Sequence, residues 1–179
     1  MTTQNEITGK VDCLLFGVRR SIRYHNRRRR FYDKVHIIST FLTAFSGTAT
    51  IVSVLTDAGI SRVIFAGLVT FFSICDLVIR TDIKSRLHEE LCRKFFELEK
   101  SILQTNITDD QILKRFEGER LDIEAKEPPG LRVLDSICHN ELLTALGFDK
   151  SCLLEITWYQ RLLSNIVDIS DHTIKARGE

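Results

Sequence analysis

Residues 35–55 read VHIISTFLTAFSGTATIVSVL, and residues 63–79 read VIFAGLVTFFSICDLVI. The first stretch holds 21 residues with His36 as its one chargeable side chain, and the second holds 17, broken only by Asp76. A helix rises about 1.5 Å per residue, so the first reaches about 31 Å and the second about 26 Å. The hydrocarbon core of a bilayer is about 30 Å thick, which makes the first a full span and the second a short one. Ile60 and Ser61 can lengthen the second, and Arg62 and Arg80 can snorkel to opposite interfaces. The link between them, Thr56-Asp57-Ala58-Gly59-Ile60-Ser61 with Arg62 at its end, is short enough to force antiparallel neighbours, with Asp57 and Gly59 supplying turn chemistry. A soluble bundle with two wholly buried helices is the competing reading. A chain of 179 residues offers too little other helix surface to cover both.

Charge gives the hairpin a direction. Val11 to Lys34 carries eight Arg or Lys against two Asp, while the whole chain nets +1. Arg80, Lys84 and Arg86 follow the second stretch, and the connecting link offers only Arg62 at its end. The positive-inside rule then puts both termini on the cytoplasmic side of a cell membrane. The tract Arg27-Arg28-Arg29-Arg30 could also suit nucleic acid. Its place just before the apolar run, with Lys34 between, favours anionic headgroups, so lipid rather than nucleic acid is the expected partner. The mean hydropathy of −0.03 averages over this division and hides it.

The flanking segments read as helices. Val11, Leu14, Leu15, Val18 and Ile22 form an apolar stripe with Arg19, Arg20 and Arg23 interleaved, a basic amphipathic helix within residues 1–34. The stripe is expected to pack on protein while the Arg tract meets headgroups. Leu87, Leu91, Phe95, Leu98 and Ile102 make a second stripe. No Gly or Pro interrupts Asp82–Gln104, so the second span is expected to run straight on as a stalk. Such a stalk would suit either coupling or passive support. Thr108-x-x-Gln111 reads as a capping box for a helix to about Ala125, ended by Glu127-Pro128-Pro129-Gly130. A helix over about Leu131–Leu146 with Gly147 at its C-terminal cap follows. A last helix is expected over Ser151–Ile169, burying Leu153, Leu154, Thr157, Leu162 and Ile166, before a loose polar tail from Asp171. The fold class is an all-α membrane protein. Its two-helix transmembrane hairpin (residues 35–80, spans 35–55 and 61–80) joins a cytoplasmic helical bundle formed by the N- and C-terminal helices (residues 1–34 and 81–179).

Within the spans, Thr40, Ala44 and Thr48 form one stripe of small residues, and Thr43 with Gly47 an adjacent one. Such stripes let helices approach closely in lipid, within the hairpin or between protomers, or they line a pore. Asp76 stands four residues before Arg80, a spacing that suits an interfacial ion pair, and a gating role is the alternative. The five cysteines (Cys13, Cys75, Cys92, Cys138, Cys152) show no paired or zinc-binding spacing, which points to free thiols in a reducing compartment. Cys138 and His139 are adjacent on one helix, about 100° apart, so the imidazole cannot easily serve the thiol as base. His25, His36, His88 and His172 show no metal-ligand spacing, and no Walker A, GxGxxG or HExxH motif occurs. The sequence points away from an enzyme and implies neither metal nor cofactor.

The ordered set Tyr24-His25, Phe31-Tyr32-Asp33, the hairpin, Asp76, His88 with Leu91, Glu127-Pro128-Pro129 and Cys138-His139-Asn140-Glu141 resembles the SLATT group. These are two-transmembrane effectors of bacterial anti-phage systems, and the likeness spans about Arg20 to Leu146. The resemblance implies a homo-oligomer that permeabilises the inner membrane and arrests the cell when an upstream sensor triggers it or an inhibitory protein complex releases it. No nucleotide-binding motif accompanies it, which leaves activation through a partner protein open beside direct sensing. The alternative is a membrane-anchored adaptor whose cytoplasmic helices recruit a partner protein.

Overall fold

The computed structural model describes residues 2–56, 59–169 and 174. It is all-helical over these residues: α1 (Thr2–Leu55), α2 (Ile60–Ile79), α3 (Thr81–Gln104), α4 (Asp110–Glu124), α5 (Arg132–Ala145) and α6 (Trp158–Leu163), with a 3-10 turn at Lys150–Cys152. The chain divides into two compact units. One comprises the residues up to Arg27 and from His88 onward, and the other is Arg28–Leu87. The divisions fall seven residues away from the hydropathy borders, because α1 and α3 each run through a division without interruption.

The first unit is built on the two stripes. Leu14, Val18 and Ile22 of α1 meet Cys92, Phe95, Leu98 and Ile102 of α3 and Leu113 and Phe116 of α4 in one buried cluster. Steps of three and four put each set on one helix face, and burying that face stabilises these helices far more than their intrinsic propensity does. An Arg19–Glu99 ion pair at 2.6 Å bridges α1 and α3 beside this core. α5 buries Val133, Leu134, Ile137, Cys138, Leu142 and Leu143. Its first backbone N–H groups have no cap from their own segment. The Asp168 carboxylate accepts from Arg132 N (2.8 Å) and Val133 N (3.0 Å), and the Tyr24 hydroxyl accepts from Leu131 N (3.0 Å). At the other end Leu146 caps α5 and Gly147 takes a positive φ of 81°, as expected of that glycine.

Two expectations for this unit are corrected. Asp109, not Thr108, caps α4: its extended backbone lets the carboxylate accept from Gln111 N at 3.2 Å. The helix over Ser151–Ile169 does not form as such. The Asn140 side-chain amide clasps Leu154 at both backbone groups, donating to its carbonyl (2.7 Å) and accepting from its N–H (2.8 Å). That clasp and the extended backbone at Leu153 and Thr157 confine α6 to Trp158–Leu163. Gln160 and Ser164 are buried there, while Thr157, Leu162 and Ile166 are exposed and Leu153 and Leu154 half-buried. The polar tail expected from Asp171, including His172, lies outside the described residues apart from Ile174.

In the second unit, Asp33 pairs with Ser85, and His36 with Asp76 and Thr81, so the chain reverses between them. Gly59 (φ 47°) starts α2, where any side chain would be strained. Asp57 and Ala58, expected in the turn, lie outside the described residues. The uninterrupted stalk expected from the second span is not what forms. Arg80 adopts a left-handed conformation (φ 52°, ψ 52°) that separates α2 from α3. Neither Gly nor Pro marks the break. Arg80 N still makes the ordinary helical bond to the Asp76 carbonyl (3.0 Å), and across the break the Asp76 carboxylate accepts from the buried Thr81 hydroxyl (2.9 Å). Among the described residues, two helices are long and apolar enough to cross a membrane. Their apolar side chains point outward in this unit, with Leu55 and Ile60 79% exposed, Leu77 75% and Phe41 67%.

Candidate functional site

Two polar clusters stand out, one in each unit. In the first unit, α1 brings Tyr24 and His25, α3 brings His88, and the segment before the two prolines brings Glu127. His25 Nδ1 lies 2.9 Å from His88 Nδ1, and His25 Nε2 lies 3.0 Å from Glu127 Oε1. Both rings are almost fully enclosed, His25 at 1% exposure and His88 at 2%. Phe95 stacks on His25 with centroids 5.6 Å apart, and Tyr24 meets His25 edge-on at 5.3 Å. The hydrogen bonds satisfy polar groups that burial would otherwise penalise. Beside Glu127 opens a polar cavity of about 340 Å³ lined by Arg20, Tyr24, Glu127, Arg132, Asp135 and neighbours. Arg20 Nε approaches Asp135 Oδ1 to 3.2 Å without a hydrogen-bonding direction, an ion pair only. Burial holds the Asp135 carboxyl above its usual range, opposed in part by Arg20.

The other conspicuous residues of this unit act differently. Cys138 is wholly buried, and burial pushes its thiol up to about 12, which leaves it no nucleophile near neutrality. His139 lies edge-on to Phe16 at 5.2 Å, and burial followed by Arg20 lowers its basicity. Asn140 is consumed in the Leu154 clasp, and Arg27 pairs with Glu141 rather than standing free for headgroups. Among the described residues no group of three or more His, Cys, Asp or Glu could hold a metal ion.

The second unit carries a polar seam at one end of its hairpin. Asp33 accepts from the Ser85 hydroxyl and meets Arg29 at 3.6 Å. Asp76 Oδ1 lies 3.4 Å from His36 Nδ1, a long contact beside the 2.9 Å bond from Thr81. The expected Asp76–Arg80 ion pair does not form among the described residues; the Asp76 carboxylate accepts from the Thr81 hydroxyl instead. Arg28 bonds the Tyr32 hydroxyl and lies 4.6 Å over that ring, which Lys84 also approaches at 5.6 Å. Arg30, Lys34, Arg80 and Arg86 are exposed, and the side chain of Arg62 lies outside the described residues.

The small-residue stripes separate. Thr40, Ala44 and Thr48 are exposed, and Thr43 and Gly47 are half-buried. A Cβ atom added at Gly47 would meet nothing within 4 Å. The buried seam of this unit is instead Ser46 and Ser53, with Ser39 half-buried one heptad before. Their seven-residue spacing was the signal in the sequence, masked because serine weighs little in a hydropathy reading.

No family model, no curated protein and no solved structure matches this chain.

Proposed function

We propose that the chain is a membrane-embedded effector: residues 35–80 form a two-span hairpin whose oligomers permeabilise a bacterial inner membrane, and the remaining helices form a cytoplasmic head. The observation that carries this reading is the outward apolar surface of the hairpin unit. The most apolar 18-residue window of the second candidate span has 0% of its residues buried, and that of the first 11%. In water such a shell would be a large unpartnered patch, whereas lipid tails cover it without cost. The basic residues Arg30, Lys34, Arg80, Lys84 and Arg86 favour an orientation with both termini cytoplasmic. The permeabilising step and the trigger, a sensor or an inhibitory complex, rest on the SLATT resemblance.

Thr40, Ala44 and Thr48 supply the self-association surface in this proposal, since the hairpin's own packing does not use them. Controlled expression should therefore depolarise cells. Gly47→Leu should insert normally, because its Cβ meets open space within one copy, yet reduce depolarisation by crowding a helix–helix contact. Growth arrest at unchanged membrane potential would sink the effector reading. The adaptor alternative draws on one feature, the exposed ridge Trp158, Leu162 and Ile166 on the head. Exchanging the hairpin for an unrelated two-span anchor separates the two: retained activity means adaptor, lost activity means effector.

A further inference from the structure

The junction between α2 and α3 is held in a conformation that its own sequence does not favour. In a continuous helix the N–H groups of Thr81, Asp82 and Ile83 would donate to the carbonyls of Leu77, Val78 and Ile79. None of those three bonds forms among the described residues; the backbone bonds at the junction are Arg80 N to Asp76 O (3.0 Å) and Lys84 N to Arg80 O (3.1 Å). Arg80 adds to the cost, because its left-handed backbone (φ 52°, ψ 52°) crowds Cβ against the following carbonyl oxygen. Residues 74–85 (ICDLVIRTDIKS) hold neither Gly nor Pro, so nothing local forbids helix through this point.

Side-chain bonding opposes the continuous helix. The Asp76 carboxylate accepts from the Thr81 hydroxyl at 2.9 Å, and Thr81 is almost fully enclosed. Residues five apart on a straight helix point about 140° away from each other, so this bond belongs to the broken form alone. From α1, His36 Nδ1 lies 3.3 Å from the same hydroxyl and 3.4 Å from the same carboxylate. Residues four apart share one face, so a continuous helix would instead turn Asp76 toward Arg80 and allow the ion pair that the broken form lacks. Asp76 therefore has one partner in each form.

We propose that residues 76–83 are a two-state hinge: Asp76 exchanges the Thr81 hydroxyl for the Arg80 guanidinium, Arg80 leaves the left-handed region, and α2 and α3 join into one helix from Ile60 to Gln104. The broken form is the one the structure holds. The exchange gives up the buried Thr81 bond and gains three backbone bonds, an ion pair and release of the left-handed residue. Two discrete bonding patterns make such an element a switch rather than a soft bend. α3 carries Phe95, Leu98 and Ile102 into the buried cluster of the head, and α2 is the second candidate span, so the hinge lies on a chain path from head to hairpin. It concerns the junction itself and holds whether or not the hairpin permeabilises a membrane.

The test uses the full chain in lipid nanodiscs, spin-labelled at residues 68 and 86, both exposed, in a background lacking the native cysteines. Eighteen residues make five turns, so a continuous helix puts both labels on one face with Cα atoms about 27 Å apart. Amide exchange on the unlabelled protein reads the missing backbone bonds directly. The wild type should show a main distance shorter than the continuous-helix value and fast exchange at Asp82 and Ile83. Thr81→Val keeps the shape and loses the hydroxyl. It should move the main distance to about 27 Å and slow exchange at Asp82 and Ile83 at least tenfold. Thr81→Ser keeps the hydroxyl and should behave as the wild type, and Arg80→Gly, which suits a left-handed backbone, should stay broken. Thr81→Val with the wild-type distance and exchange overturns the hinge. So does a wild type that is already continuous, a Thr81→Ser protein that behaves as Thr81→Val, or a continuous Arg80→Gly protein. If Thr81→Val does not fold, Asp76→Ala removes the same bond, leaves the three backbone bonds to be gained, and decides by the same readouts. None of these readouts involves membrane potential, so the failure of the hinge and of the effector reading are distinguishable.

Discussion

Phe71→Arg tests what surrounds α2. Phe71 stands near the middle of Ile60–Ile79, is 59% exposed, and packs edge-on against Phe72 at 5.5 Å. Eight residues separate it from Ile79, about 12 Å of helix, beyond easy reach of the near interface for one side chain. On insertion scales a central Arg costs about 2.5–3.5 kcal/mol, and the lost Phe adds about 0.3–0.6 kcal/mol. The sum is about 3–4 kcal/mol, or a shift of two to three decades at about 1.4 kcal/mol per decade. The apolar stretch of α2, residues 63–79, is at the lower limit of length for a span, so little reserve remains in it to absorb that penalty. If it stays out while the first span inserts, the C-terminal head is left on the far side. A reporter fused after residue 179 should therefore read cytoplasmic in the wild type and largely external in the variant. Were the helix in water, an exposed Phe→Arg change would shift stability by no more than about 0.5 kcal/mol. Unchanged reporter location and unchanged membrane association would refute the lipid-facing assignment.

Four further outcomes concern the head. Phe95→Ala empties the centre of its core and should destabilise it by about 3–5 kcal/mol, seen as a lower denaturant midpoint with the slope conserved. Asn140→Ala removes both bonds to Leu154 and should cost about 1–3 kcal/mol locally, exposing residues 150–163 to limited proteolysis while α1 and α3 stay protected. Cys138 is raised from 9.0 to about 12 on folding, so its contribution is whole below pH 9 and fades as pH climbs toward 12. Stability should fall over that alkaline window, less steeply in Cys138→Ala than in the wild type. At neutral pH a maleimide should label the exposed Cys13 and Cys152 but not Cys138 until the head unfolds.

Much of the architecture was legible because burial follows period. Leu14, Val18 and Ile22, and Phe95, Leu98 and Ile102, are spaced as only a helix with one buried face requires, and they do meet. The break at Arg80 was not legible, because no residue that favours positive φ stands there. The C-terminal stretch misled for a similar reason. Its apolar residues repeat at helical intervals, yet the clasp from Asn140, fourteen residues upstream of Leu154, draws the chain out straight. Thr157-x-x-Gln160 was a readable start signal: Gln160 Oε1 accepts from Thr157 N at 2.9 Å. The histidine cluster joins positions 63 and 102 residues apart, a separation that carries no local pattern. Tyr24, His25 and His88, single letters in a soft motif set, become one site only once α1 and α3 pack.

The most direct test of the hairpin is a topology measurement on the full chain in its cell membrane. Single cysteines are placed at residues 30, 59 and 86 in a background lacking the native five and labelled with a membrane-impermeant maleimide, with and without permeabilisation. Residue 59 should label from outside in intact cells, and residues 30 and 86 only after permeabilisation. Equal labelling of all three without a membrane barrier, or recovery of the chain in the soluble fraction, would contradict the two-span hairpin.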